Sequence, residues 1–177
     1  KKKTFLKQPI LNDSNINHND NLSSDSDLDT FKPFELHTHM NENHQNINHY
    51  AILICARNEE AVIRDLIESI QAQTYPASHI TTFVMADNCT DHTAFIARQA
   101  GAIVYTRYNN ELIGKGYATE ALFQYIQKDY PEGFDGYFIF DADNILSRNY
   151  IEEMHKTFLE GHDIITSYRN SKNFGSN

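Results

Sequence analysis

Residues 50–56 read YAILICA, and this stretch decides the fold. The run is continuously apolar, without the polar alternation of a half-exposed strand, so it predicts a β-strand that is buried on both faces. The next segment, residues 59–73, has its apolar side chains on one helical face and pairs Glu60 with Arg64 on the other. A buried strand followed directly by an amphipathic helix is the unit from which parallel α/β sheets are built.

The same alternation continues along the chain. Further strands are predicted at residues 80–86, 102–106 and 136–140, with a last strand-like run at residues 163–168. Further helices are predicted at residues 91–100, 115–128 and 147–160. Their expected N-caps include Thr90 or Asp91 for the first and Ser147 for the last. The pattern implies a mainly parallel sheet flanked by helices, in which ligands bind at the carboxyl ends of the strands.

The composition changes near residue 50. Residues 1–49 are rich in Asn, Ser and Asp and carry no periodic apolar pattern, so we expect a mobile leader that cannot offset the entropy of its own ordering. Residues 50–177 are expected to form the folded domain. Four histidines in the leader suggest a metal site, but a His-x-His in a flexible Asn-rich tract is more often incidental. These histidines are His37, His39, His44 and His49.

The overall composition argues against several classes of function. The chain has 177 residues, with 15 basic and 24 acidic side chains and a net charge of −9, which disfavours a nucleic-acid-binding face. The sequence contains no apolar run of 18 or more residues that would predict a transmembrane helix. Two cysteines, Cys55 and Cys89, are too few for a disulfide framework, so a reducing compartment is the default expectation.

The turns after the predicted strands lack two common phosphate-binding signatures. A dinucleotide-binding turn needs GxGxxG and a P-loop needs GxxxxGK[ST], whereas the first turn here reads RNEE at residues 57–60. The GKG at residues 114–116 lacks both the upstream glycine and the following hydroxyl residue of a P-loop. The sequence therefore disfavours NAD-dependent enzymes and P-loop nucleotide hydrolases.

The most informative motif is Asp141-Ala142-Asp143, directly after the predicted strand GYFIF. Two carboxylates one residue apart at the mouth of a buried strand concentrate negative charge, which Mg²⁺ or Mn²⁺ relieves while bridging to phosphate oxygens. An EF-hand is excluded because Ile145 and Leu146 stand where its loop requires Asp or Asn and then Gly. Two alternatives stay open: a haloacid-dehalogenase-type phosphatase, which carries DxDx[TV] after its first strand, and a capped turn without a ligand.

Four motifs in order resemble a known enzyme family. They read ILICARNEEAVIRDLIESIQAQTYP, FVMADNCTDHTAFIARQAGA, GKGYATEALF and YFIFDADNILSRNYI. The chain resembles glycosyltransferase family 2 enzymes of the GT-A fold, a Rossmann-like, mainly parallel sheet flanked by helices. The resemblance implies inverting transfer of a sugar from a nucleotide-diphosphate donor, usually a UDP-sugar, to a glycan or other hydroxyl acceptor.

The resemblance also implies roles for residues at the strand ends. Ala56, Arg57 and Glu59 are expected to line the nucleoside pocket, with Glu59 near the ribose. Asp87 matches the family's acid that accepts a hydrogen bond from the uracil ring N–H. Lys115 matches a basic residue near the diphosphate or ribose.

Asp141 and Asp143 match the family's DxD motif. Asp143 is the expected ligand of Mg²⁺ or Mn²⁺, and Asp141 shares this metal site while lying nearer the ribose or sugar. The family's general base lies later in the domain, so the base is expected beyond Asn177 and the chain is interpreted as a truncated, donor-binding half. A non-catalytic nucleotide-sugar-binding module therefore stays an alternative.

The resemblance includes membrane-bound polysaccharide synthases. It implies that the longer protein acts at the cytoplasmic side of the cell membrane. The present segment is expected to be soluble and cytosolic, with any membrane association made through other parts of the protein.

Overall fold

The structure of the chain is a computed structural model, which describes residues 47–167. Most of the predicted leader, residues 1–46, and the last residues, 168–177, lie outside the described part. Asn48 and His49 already contact the fold: the Asn48 carbonyl accepts from the Tyr75 hydroxyl at 2.8 Å, and the His49 N–H donates to Asp135 at 2.7 Å. Contacts with the domain thus begin a few residues before residue 50.

Between residues 47 and 167, four parallel strands form one sheet in the order β3-β2-β1-β4. The strands are β1 (Tyr50–Ala56), β2 (Ile80–Asp87), β3 (Ile103–Arg107) and β4 (Gly136–Asp141). The register places Cys55 beside Asp141 across β1 and β4, and Asp87 beside Arg107 across β2 and β3. The predicted parallel sheet is confirmed.

Helices cover both faces of the sheet. They are α1 (Ile63–Gln71), α2 (Thr93–Gln99), α3 (Lys115–Asp129) and α4 (Tyr150–Leu159), with a short 3₁₀ turn at Ala77–His79. Ile52 and Ile54 of β1 pack with α1, α2 and α4, whereas Ala51 and Leu53 pack with α3 on the opposite face. Successive strand side chains point to opposite faces, so β1 is apolar at every position. None of these four described helices is long and apolar enough to cross a membrane.

The buried core fixes the strand ends in place. Ile52, Leu53, Ile54 and Phe83 are fully buried in the centre of the sheet. Burying such a side chain contributes about 1.5–3 kcal/mol relative to leaving it in water. The loops that follow the strands are therefore anchored to a rigid base.

The first helix begins later than predicted. Asn58 has a left-handed backbone with φ of 57°, and the Glu59 N–H donates to the Thr93 hydroxyl at 2.8 Å. Because these residues are held by the neighbouring segment, residues 59–62 form a turn. The helix α1 starts at Ile63 instead of residue 59.

The N-cap predictions for the helices α2 and α4 are wrong. The helix α2 begins at Thr93 with His92 as its N-cap, so neither Thr90 nor Asp91 occupies that position. The helix α4 begins at Tyr150, and the Ser147 carbonyl accepts from the Gln73 side chain at 2.8 Å. Both segments are held by contacts with residues distant in sequence, which local capping patterns do not reveal.

The last predicted strand, residues 163–168, is wrong over its described part. Residues 163–167 are bends and irregular chain, and Ile164 is 89% exposed. Residue 168 lies outside the described range. An apolar run becomes a strand where a neighbouring strand pairs its backbone groups, and this run has no strand partner between residues 47 and 167.

Candidate functional site

An open cleft of about 400 Å³ lies at the carboxyl ends of the strands. It is lined by every residue for which the sequence predicted a role in donor or metal binding. These residues are Ala56, Arg57, Glu59, Asp87, Lys115, Asp141 and Asp143. Among the described residues, the rest of the lining comes from Cys55, Gly114, Ala118 and Ala142.

The parallel sheet explains why these residues meet. The strands β2, β1 and β4 are neighbours and end at the same edge, so Asp87, Ala56 and Asp141 follow one another across the sheet. Lys115 joins them as the first residue of α3. Gly114 before it has φ of 130°, a backbone conformation that favours glycine.

The β2 end of the cleft contains a buried ion pair that the sequence analysis missed. Arg107 Nη1 donates to Asp87 Oδ1 at 2.5 Å, and the two side chains are 11% and 7% exposed. A buried carboxylate and guanidinium compensate each other's charge, whereas removing one leaves the other unpaired. The sequence pattern ended β3 at residue 106 and placed Arg107 in a loop. Arg107 is recognised from the register of the sheet, which places it beside Asp87.

Two asparagines hold the loop between β3 and α3. Asn88, with φ of 51°, donates through its Nδ2 to the Asn109 carbonyl at 3.0 Å and accepts at Oδ1 from the Asn109 N–H at 2.8 Å. Asn109 Oδ1 in turn accepts from the N–H groups of Glu111 and Leu112 at 2.9 and 2.7 Å. The Leu112 carbonyl accepts from Arg107 Nη2 at 2.5 Å. The loop is therefore docked onto the β2 end.

The turns after β1 and β2 are interlocked. Asn58 Oδ1 accepts from the Thr90 N–H at 2.8 Å, and the Glu59 N–H donates to the Thr93 hydroxyl. The Asn58 N–H donates to the sulfur of Cys89 at 3.5 Å. Burial raises the pKa of the Cys89 thiol, so it stays neutral and packs between the turns.

Asp91 stabilises these turns and does not line the cleft. Its Oδ1 accepts from the Thr93 hydroxyl at 2.6 Å and from the Thr93 N–H at 3.0 Å, and its Oδ2 accepts from the Glu60 N–H at 3.2 Å. Burial by itself raises the pKa of the Asp91 carboxyl, but these hydrogen bonds outweigh burial and hold its pKa below the ordinary value. The folded state therefore favours the charged form of Asp91.

The β4 end of the cleft is open to solvent. The Lys115 ammonium is ion-paired with Asp141 Oδ1, and these side chains are 49% and 42% exposed. Asp143 is exposed, and its carboxylate accepts from the Asn144 side chain at 3.3 Å. Asn144 Oδ1 accepts from the Asp141 N–H at 3.1 Å, which fixes the turn. The structure thus joins Lys115 to one of the two predicted metal ligands.

The lining contains more acidic than basic side chains. Its described residues supply four carboxylates and two cationic groups. No group of three or more His, Cys, Asp or Glu side chains within residues 47–167 is arranged to hold a metal ion by itself. Protein-bound Mg²⁺ commonly uses one or two carboxylates together with phosphate oxygens and water. Asp141 and Asp143 fit a cation that is held jointly with a phosphate ligand.

Cys55 is the remaining titratable group of the lining. Its sulfur lies 3.3 Å from the Thr119 hydroxyl, and burial raises the pKa of its thiol. Burial therefore favours the neutral thiol of Cys55, which is a poor nucleophile. Cys55 and Cys89 are both free.

A comparison with protein families identifies a match over most of the chain. The sequence profile described as "Glycosyltransferase like family 2" matches residues 48–177. A curated relative, the 4,4'-diaponeurosporenoate glycosyltransferase of Staphylococcus haemolyticus (strain JCSC1435), is 38% identical over 72 residues. That alignment covers 38% of this chain and 18% of the relative.

Solved structures share the fold. Residues 1–349 of TarS from S. aureus superpose with a TM-score of 0.51 at 16% identity, covering 63% of this chain and 32% of that one. The same TarS fragment in complex with UDP-GlcNAc gives a TM-score of 0.52 at 16% identity, covering 63% and 31%. The alignments therefore span less than a fifth of the curated relative and about a third of the TarS fragment.

The fold and the family profile agree. The parallel sheet with helices on both faces is the predicted GT-A architecture, and it is shared with TarS. The profile match spans well over half of the sequence. The chain belongs to the glycosyltransferase-like family 2.

Proposed function

We propose that the longer protein is an inverting glycosyltransferase and that the cleft of this segment binds its nucleotide-sugar donor, a UDP-sugar. The observation that carries the proposal is the convergence of all seven predicted site residues in one cleft. They come from three strand ends and one helix start, widely separated in sequence. Such a meeting at the carboxyl edge of a parallel sheet is typical of a ligand site.

The place of the Asp-x-Asp motif favours a transferase over a phosphatase. The phosphatase motif follows the first strand of its fold, whereas here Asp141 and Asp143 follow β4. The segment after β1 supplies Arg57 and Glu59 to the cleft instead.

The β2 end is the proposed nucleoside site. Asp87 accepts a hydrogen bond from the ring N–H of uracil, and Ala56, Arg57 and Glu59 line the adjoining space, with Glu59 near the ribose. Asp87 is already ion-paired to Arg107 and oriented before the ligand arrives. Preorganised groups lose little conformational freedom on binding, which favours affinity.

The β4 end is the proposed diphosphate site. Asp143, together with Asp141, would hold Mg²⁺ or Mn²⁺, because the acidic lining repels a diphosphate in the absence of a cation. When bound, such a cation neutralises negative charge on the diphosphate. Lys115, which lines the same cleft, contributes a second positive charge toward the departing nucleotide.

We place the acceptor site and the general base in parts of the longer protein outside residues 47–167. A hydroxyl of a glycan or another acceptor loses its proton to that base and attacks the anomeric carbon opposite the leaving UDP, which inverts the configuration. The cytoplasmic side of the cell membrane, implied by the resemblance to membrane-bound relatives, is the proposed location of the whole protein.

Calorimetry on the 177-residue chain tests the donor site. Uridine and UDP are titrated separately, each with Mn²⁺ or with EDTA, into the wild type and into the Asp143→Asn and Asp87→Asn variants. We expect Mn²⁺ to strengthen UDP binding in the wild type, and Asp143→Asn to abolish that gain while leaving weak uridine binding. Asp87→Asn should weaken uridine and UDP alike, by about 1–3 kcal/mol for a hydrogen bond to a charged acceptor.

The matched control is Asp65→Asn, which removes an exposed carboxylate on α1 outside the cleft lining. It should leave all four titrations unchanged. Equal UDP affinity with Mn²⁺ and with EDTA in the wild type, or an Asp143→Asn variant identical to it, would reduce Asp141-Ala142-Asp143 to a capped turn.

A further inference from the structure

Arg107 holds one oxygen of Asp87 from behind the cleft. The two residues are register partners at the ends of β3 and β2, and Arg107 Nη1 donates to Asp87 Oδ1 at 2.5 Å. Asp87 lines the cleft, whereas Arg107 does not belong to its lining. Their side chains are only 11% and 7% exposed, so water has little access to the contact.

The guanidinium is fixed at its second nitrogen as well. Arg107 Nη2 donates to the Leu112 carbonyl at 2.5 Å. The Leu112 peptide is positioned by Asn109, whose side chain accepts from the Leu112 N–H, and Asn109 is docked on Asn88. The planar fork of the guanidinium therefore spans Asp87 and the β3–α3 loop in one orientation.

This arrangement makes the two oxygens of Asp87 unequal. Oδ1 accepts from Arg107, while Oδ2 accepts no hydrogen bond from any residue in the described range 47–167. A ligand base thus meets one oxygen that is covered by a cation and one that is open to a donor. A second donor placed beside Oδ1 would face the N–H groups of the guanidinium.

We propose that Arg107 is a positioning residue that sets base specificity by leaving Asp87 a single oxygen for hydrogen bonding. Uracil has one ring N–H between two carbonyl oxygens. This single donor matches Asp87, whose Oδ2 is open and whose Oδ1 is already paired with Arg107. Guanine presents adjacent ring and amino N–H groups, and it requires both oxygens of a carboxylate. The inference rests on the proposed function, since it assumes that the β2 end receives the base of a nucleoside diphosphate.

A comparison of the affinities for UDP and GDP tests whether Arg107 sets the base specificity. Both are titrated with Mn²⁺ into the wild-type chain and into Arg107→Lys and Arg107→Met. We expect the wild type to bind UDP at least about tenfold more tightly than GDP, the discrimination typical of one base-reading contact. Lysine keeps the charge that Asp87 needs but cannot also hold the Leu112 carbonyl in a planar fork, so the UDP-to-GDP preference should fall to about threefold or less.

Arg107→Lys is the decisive variant, because it keeps a cation beside Asp87. Arg107→Met leaves Asp87 buried without a cation, so it is used only if thermal melting shows that it is folded. The matched controls are Arg98→Lys and Arg98→Met, at an exposed arginine of α2 outside the cleft lining. General damage lowers both affinities together, whereas the proposed role changes their ratio.

The outcomes separate the two claims. A wild type that binds neither nucleotide would overturn the donor site and the inference with it. A wild type that binds UDP with a Mn²⁺-dependent gain, while Arg107→Lys keeps the full preference, would overturn the inference alone. A preference that collapses in Arg107→Lys and persists in Arg98→Lys supports it.

Discussion

The two ends of the cleft are built in different ways. At the β2 end, Asp87 and Arg107 are almost excluded from water, and hydrogen bonds interlock the surrounding turns. At the β4 end, Lys115 and Asp141 form an ion pair that is about half exposed, and Asp143 is exposed beside it. One end is nearly buried and fixed by hydrogen bonds, whereas the other is exposed to solvent and held mainly by charge.

This contrast corresponds to two physical tasks. Selecting a base favours an acceptor whose position is already fixed, because ordering it costs no further entropy on binding. Holding a cation and a diphosphate favours charges that stay hydrated and can change partners, because their removal from water would be costly. We infer that the β2 end selects the nucleotide and the β4 end binds and releases its charged groups.

The largest expected effect comes from breaking the buried pair. Asp87→Ala leaves the Arg107 guanidinium buried and unpaired, which should lower the free energy of unfolding by about 3–5 kcal/mol. The matching change at the other end, Asp141→Ala, removes an exposed partner and should cost less than about 1 kcal/mol. Urea unfolding of both variants measures the difference. Equal losses would show that burial does not make the Asp87–Arg107 pair more important for stability than the exposed Lys115–Asp141 pair.

A smaller effect is expected from the turns beside the β2 end. Asp91→Asn keeps one acceptor for Thr93 but places an amide against the Glu60 N–H, and it should destabilise the fold by about 1–2 kcal/mol at neutral pH. The control is Asp65→Asn on the exposed face of α1, which should have little effect.

The same carboxylate predicts an acid dependence. The folded state holds the pKa of Asp91 below its ordinary value of about 4. The charged carboxylate therefore adds to the free energy of unfolding above that pH, and this stabilisation is lost as the pH falls through the lower folded-state pKa. As the pH falls below about 4, the wild type should therefore lose stability more steeply than Asp91→Asn. Parallel stability curves over this range would contradict the assignment.

Much of the fold follows from local sequence patterns. The strand β1 occupies residues 50–56 as predicted, because a run that is apolar at every position is stable only between two packed layers. The start of α1 could not be predicted from the local sequence, since Asn58 and Glu59 are held by residues that follow β2. The run at residues 163–167 was misjudged because its apolar character does not specify a pairing partner.

The sequence likewise predicted some residues of the candidate site and missed others. Arg57, Glu59, Asp87, Asp141 and Asp143 were found because they follow predicted strands, and parallel strands end at one edge. Ala56 and Lys115 were found only through the family resemblance. Arg107 and Asn109 were missed because their roles arise from contacts with Asp87 and Asn88 across the sheet. Such contacts depend on strand order and register, which a single sequence does not specify.

The smallest effect on stability is expected at Lys115. Lys115→Met removes a half-exposed ion pair and should change the free energy of unfolding by less than about 1 kcal/mol. The Lys115→Met variant should change the affinities for Mn²⁺ and for UDP in opposite directions. Mn²⁺ binding without nucleotide should strengthen by about threefold to tenfold, because Asp141 loses a competing cation, while UDP binding weakens by a similar factor.

Calorimetric titrations with Mn²⁺ alone and with UDP measure both effects. The control is Lys128→Met in the last turn of the same helix, which should alter neither affinity. If Lys115→Met moved both affinities in the same direction, Lys115 would not be a partner that Asp141 exchanges for a cation.

The central claim is that the β4 end binds a divalent cation together with a nucleoside diphosphate. Binding free energies are reciprocal, so a diphosphate that is held through the cation must tighten the cation's own binding. Electron paramagnetic resonance of free Mn²⁺ measures this directly on the 177-residue chain, with and without UDP, in the wild type and in Asp143→Asn. We predict that UDP tightens Mn²⁺ binding at least about tenfold in the wild type and has no such effect in Asp143→Asn. A Mn²⁺ affinity that is the same with and without UDP would contradict the claim.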